Sequence, residues 1–172
     1  MAFTYSKLAE VTVGSGGATE MDFTSIPGNY TDLIIKICGR SSRSGANIDE
    51  VYLRFNSNTG SFPNRYIQAA GSGTPTSNSG SYALWTGYVP AATATGSTFS
   101  NSEIYIPNYA GSNSKSLSVD TAQEDNATAA YITMHANLWN VSSPIVNIRI
   151  YTLIGSFVQH STATLYGVKA EV

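Results

Sequence analysis

TDLIIKICGR, residues 31–40, sets Leu33, Ile35 and Ile37 two positions apart, the spacing that turns all three to one face of an extended strand. The next run repeats the period, with Val51, Leu53 and Phe55 alternating against Tyr52, Arg54 and Asn56. Further on, Ile132, Met134, Ala136 and Leu138 oppose Tyr131, Thr133, His135 and Asn137, and Val146, Ile148 and Ile150 oppose Asn147, Arg149 and Tyr151. Each segment is expected to turn its apolar side to a core and its polar side to water. Shorter strand candidates lie at residues 7–13, 19–25, 66–70, 82–89, 103–109, 115–119 and 163–169, which brings the total to about ten.

Turn-forming residues separate these runs: the glycines of 14–17, Pro27-Gly28-Asn29, residues 56–60 and 71–80, and Ser142-Ser143-Pro144. Helical signals are nearly absent. Residues 120–130 could hold a short helix on composition, but they lack an apolar stripe at helical spacing. Pro107 falls inside the 103–109 candidate and demotes it to a sheet edge, because proline donates no ladder hydrogen bond. The prediction is an all-β fold, an antiparallel β-sandwich of about 8–10 strands, jelly-roll-like or a related sandwich. At 172 residues the chain fits one domain spanning 1–172, with residues 1–6 left as a short N-terminal arm.

Composition narrows the partners. Charged residues make up 12% of the chain, about half the usual share, and the net charge is -2, so there is no field to attract nucleic acid. The opening MAFTYSKLAEVTV lacks a basic stretch followed by an apolar one, so the chain is expected to stay in the compartment where it is made. The apolar run 33–38 is broken by Lys36 and falls far short of the ~20 residues that span a bilayer, so no membrane partner is expected. Cys38 is the single cysteine, which forbids an intrachain disulfide, and its apolar setting suggests a small buried hydrophobe.

Catalytic patterns are missing. No phosphate-binding glycine loop, zinc-protease HExxH or GxSxG nucleophile elbow occurs, and only His135 and His160 could act as imidazole bases. His135 falls on the polar side of its run and His160 beside a turn, which makes each a surface or interface residue. Two histidines and one cysteine, widely separated, do not make a zinc site. Asp120, Glu124, Asp125 and Asn126 gather oxygen ligands, but the glycine of a calcium loop is missing, so the segment reads as a solvated acidic turn. The sequons at Asn29, Asn126 and Asn140 are what chance gives in a chain so rich in Ser and Thr. No catalytic, cofactor-binding or metal residue is assigned, and the chain reads as a protein other than an enzyme. Tyr82, Trp85 and Tyr88 form an aromatic island that is either the core of a short strand or a surface able to stack on sugars. Trp139, next to Leu138 and a turn, suits packing at a strand end.

Four stretches together resemble the small jelly-roll proteins found on tailed bacteriophages as capsid-decoration or tail-fibre components. They are IPGNYTDLIIKICGR (26–40), VYLRFNSNTG (51–60), NSEIYIPNY (101–109), and a closing block with LWNVSSPIVNIRI (138–150) and STATLYGVK (161–169). The resemblance implies a virion-surface protein, commonly a homotrimer, made in the host cytoplasm. It transfers no catalytic residue, and residues 71–100 match it least. Two functions follow from it. The first is a decoration, or cement, protein that binds copies of itself and the major capsid protein and stabilises the shell. The second is a fibre module that recognises host surface glycans.

Overall fold

The computed structural model describes residues 3–58, 62–81, 83–126 and 130–170, and in them the chain is all-β. Its strands are β1 (Phe3–Thr12), β2 (Glu20–Phe23), β3 (Asp32–Cys38), β4 (Ile48–Phe55), β5 (Asn64–Ala70), β6 (Thr76–Gly80), β7 (Leu84–Pro90), β8 (Asn101–Ile106), β9 (Lys115–Gln123), β10 (Tyr131–Trp139), β11 (Ile148–Thr152) and β12 (Thr162–Ala170). They form two antiparallel sheets, an eight-stranded one in the order β1-β12-β3-β8-β9-β10-β5-β6 and a four-stranded one in the order β2-β11-β4-β7. Leaving out β5-β6 and β9-β10, the remaining strands pair β1 with β12, β2 with β11, β3 with β8 and β4 with β7. The chain therefore runs as one long hairpin whose two arms cross together between the sheets. The extra strands widen only the larger sheet, which overhangs the smaller one beyond β7.

The sandwich core is where the alternation placed it for most strands. Leu33, Ile35 and Ile37 of β3, Val51, Leu53 and Phe55 of β4, and Ile148 and Ile150 of β11 are all buried in one cluster with Met21, Phe23, Ile104, Ile106, Leu117, Val119 and Leu165. Trp139 closes β10 fully buried, edge-on to Phe55 at 5.5 Å between centroids. Lys115 is buried beside it, 5.2 Å above the Trp139 ring, and its Nζ donates to Gly111 O and Ser143 O, which satisfies two loop carbonyls at once.

Several expectations need correction. The described residues hold twelve strands, because β6, the sequence TSNSG, is a paired edge strand within a stretch that composition marks as turn. Residues 3–6 are no arm: they belong to β1 and pair with residues 167–170. Residues 120–123 extend β9 and are not helical, and 127–129 lie outside the described residues. Pro107 does not put its strand on an edge. β8 ends at Ile106, one residue before it, and runs between β3 and β9 with both sides paired. Cys38 is exposed on the outward side of β3, because it shares the parity of Lys36 and not of Ile37; partial desolvation raises its thiol pKa.

Candidate functional site

The largest departure from the expected pattern is in β10. Ile132 and Met134, assigned to the core by hydropathy, are 63% and 51% exposed, while Thr133, His135 and Asn137 are buried. The strand is turned over relative to its sequence. β7 supplies the reason. It is an edge strand of the four-stranded sheet and packs against the inner side of β9 and β10, so its carbonyls would be buried without ladder partners. Side chains of the facing sheet supply them: Thr121 Oγ1 donates to Thr86 O and shares a second hydrogen bond with Ser102 Oγ at 2.9 Å, and Asn137 Nδ2 donates to Trp85 O at 3.1 Å. The Trp85 indole N–H caps Gly87 O at 3.0 Å. An aliphatic residue at 121 or 137 could cap nothing, so the polar parity faces in.

Gly87 makes this approach possible. Its φ is +110°, and a Cβ there would sit 2.7 Å from Thr133 Oγ1 and 2.8 Å from Thr121 Cβ. A register shift between Val51 and Tyr52 accompanies it, which puts an extra residue, Thr86, in β7. Around this seam the aromatic island is distributed as follows. Trp85 is buried, with its ring near perpendicular to Tyr66 at 4.7 Å, to Tyr88 at 5.1 Å and to His135 at 4.5 Å. Tyr88 is half-buried and contacts Tyr131. Tyr82 lies outside the described residues. Trp85 is thus a buried packing residue, with part of its ring left to line a small cleft beside β7.

His135 is the second correction. It is buried and not a surface residue, enclosed by Trp85 and by Tyr66, whose ring stacks on it at 5.5 Å. Burial pushes its pKa down to about 4, and both ring nitrogens lack a protein partner. His160 is exposed in a turn with φ +73°. Of the acidic group, Asp120 faces outward on β9, Glu124 Oε1 accepts from Asn126 N at 2.6 Å, and Asp125 is buried. Among the described residues no three His, Cys, Asp or Glu side chains gather as a metal site would require.

Turning β10 over leaves its apolar side on the outer surface. Met134 lies directly across from Ile67 of β5, which is 53% exposed, and across from Asp120 of β9 on its other side. Ile132 is flanked by Ala69 and Ala122. Two adjoining hollows, of about 840 and 300 Å³, share Met134 and Asp120 and run across the outer face from β6 to β3. Arg65 lies at one side of this apolar strip and Asp120 at the other, so the strip carries no net charge. Hydropathy alone hides the surface. The sequence signal that could have found it is Gly87 inside a strand-like run, which marks a close backbone approach and a seam needing polar partners.

Comparison of the chain with known protein families, with curated proteins and with solved structures gives no match.

Proposed function

We propose that this chain is a structural assembly protein of a virus particle, a decoration or cement protein on the outer capsid surface of a bacteriophage, acting without catalysis. The sequence resemblance supplies the setting. The observation that supports the role is the outward apolar strip of Ile67, Ile132 and Met134, on the middle strands of an extended sheet where a solitary domain would place polar residues. Met and Ile at the centre with an opposite charge at each side is the make-up of a contact surface: an apolar middle and a polar rim. The occupant is a neighbouring copy of the chain in a homotrimer. The strip's charges cancel and the whole chain carries only -2, so copies meet without strong repulsion. The rolled pairing of β1 with β12 through β4 with β7 is read here as a jelly roll carrying two inserted strand pairs.

Such a protein strengthens a shell by binding the assembled lattice better than loose subunits, through many modest contacts. The test joins mass to particle stability. Light scattering of the wild-type chain at micromolar concentration should give a trimer, and Ile132→Asp with Met134→Asp should give a folded monomer that no longer protects particles from releasing their genome on heating. A wild-type monomer, or a double variant that protects as well as the wild type, overturns the reading. Particles lacking the protein that keep their melting temperature but fail to adsorb would favour the glycan-binding fibre module instead.

A further inference from the structure

The overhang of the large sheet creates a second feature, on the other side of β7 from the core. Glu50 and Tyr52 of β4 and Trp85 and Tyr88 of β7 project from the small sheet toward β5, where Asn64 and Tyr66 face them across a cleft of about 210 Å³. Tyr66 and Tyr88 pack near perpendicular to the Trp85 ring, at 83° and 74°, and all three line the cleft. Among the described residues Glu50 is the one charged side chain lining the cleft. Its carboxylate accepts a hydrogen bond from Tyr52 Oη, and among the described residues no cation pairs with it. Asn64 is only 6% exposed and its Oδ1, a hydrogen-bond acceptor, has no partner.

These groups share one deficiency. Aromatic faces present negative potential, a carboxylate adds a full negative charge, and a buried amide oxygen lacks a donor, so the cleft is short of a positively charged group. We propose that this cleft binds an organic ammonium head group, held against the rings of Tyr52, Tyr66 and Tyr88 with Glu50 as its counter-ion. The head group can come from a free small amine or from a lysine side chain of a protein, and the two sources are distinguishable with different probes. This site is independent of the apolar strip, which lies on the outer face of the larger sheet.

The experiment titrates the intact chain with choline, with its uncharged isostere 3,3-dimethylbutan-1-ol, and with N-acetyl-lysine methylamide, following tryptophan fluorescence. Trp85 forms a cleft wall and Trp139 is fully buried elsewhere, so the change reports Trp85. Saturable binding of choline alone assigns a small-molecule source, and saturable binding of the lysine derivative assigns a protein side chain. The uncharged isostere of whichever probe binds, 3,3-dimethylbutan-1-ol for choline or N-acetyl-norleucine methylamide for the lysine derivative, should bind about tenfold more weakly, and Glu50→Gln, with an unchanged circular-dichroism spectrum, should lose about the same factor. Equal binding of the isostere, affinity unchanged in Glu50→Gln, or no saturation by either ammonium at roughly 50 mM overturns the proposal.

Discussion

Gly87 and His135 both sit at the seam between β7 and the large sheet, the one where a side chain would clash and the other as a buried imidazole. A side chain at 87 meets two obstacles: a backbone with φ +110° and contacts of 2.7–2.8 Å with Thr133 and Thr121. Gly87→Ala should therefore cost about 3 kcal/mol or more, read as a lower urea midpoint, where an exposed glycine such as Gly14, with open space around it, should tolerate alanine. His135 makes stability depend on pH in a defined direction. Its imidazole titrates near 6.5 in the unfolded chain and at about 4 in the fold, because burial disfavours the cation. Above about pH 6.5 both states are neutral and the fold keeps its full stability. As pH falls from there to about 4, the unfolded chain takes up the proton first, so up to ~1.4 kcal/mol is lost per unit. Denaturant midpoints measured across that window should fall in the wild type and flatten in His135→Leu.

Strands are stabilised by what their faces meet, and β10 shows that this is not always a matter of hydropathy. Its inward Asn137 caps Trp85 O and its outward Met134 meets solvent in the single chain. Asn137→Leu raises the hydropathy of a buried position but leaves a buried carbonyl unpaired, and should destabilise by about 1–3 kcal/mol. Met134→Thr lowers hydropathy at the strand centre and should shift stability of the dilute chain by no more than about 0.5 kcal/mol. Thermal melts of the two variants decide the matter, and the reverse ranking would mean the strand sits with its apolar side in. β3 and β4 follow the ordinary rule, whereas β5 turns Ile67 outward and Asn64 inward. β4 places Val51, Leu53 and Phe55 inward, as its period of two requires.

At the scale of the whole molecule the two sheets are unequal, and protection should follow that inequality. β3 is paired on both sides, to β12 and β8, and its Leu33, Ile35 and Ile37 are buried, whereas β6 is an edge strand paired only to β5 with exposed side chains. Amide hydrogen exchange in the dilute chain should be slowest in β3 and β12 and fastest in β6. Equal protection of β6 and β3 would contradict the strand order. The overhang puts the outer strip and the aromatic cleft on opposite faces of β5, from which Ile67 points one way and Asn64 and Tyr66 the other.

What the sequence determined by itself is the fold class and most of the core. Alternation at residues 33–37, 51–55 and 148–150 forces strands with one buried face, and scarce helical signals leave a sandwich of antiparallel sheets. It also placed Trp139 at a packed strand end. The tertiary structure alone decided which face of β10 is inside, that residues 3–6 extend β1, that Cys38 faces out, and that Glu50, Tyr66 and Trp85 share one cleft. The reason is physical. Alternation fixes which residues share a face, but the face chosen depends on what lies opposite, and for β10 that is an edge strand whose Trp85 carbonyl takes its donor from Asn137.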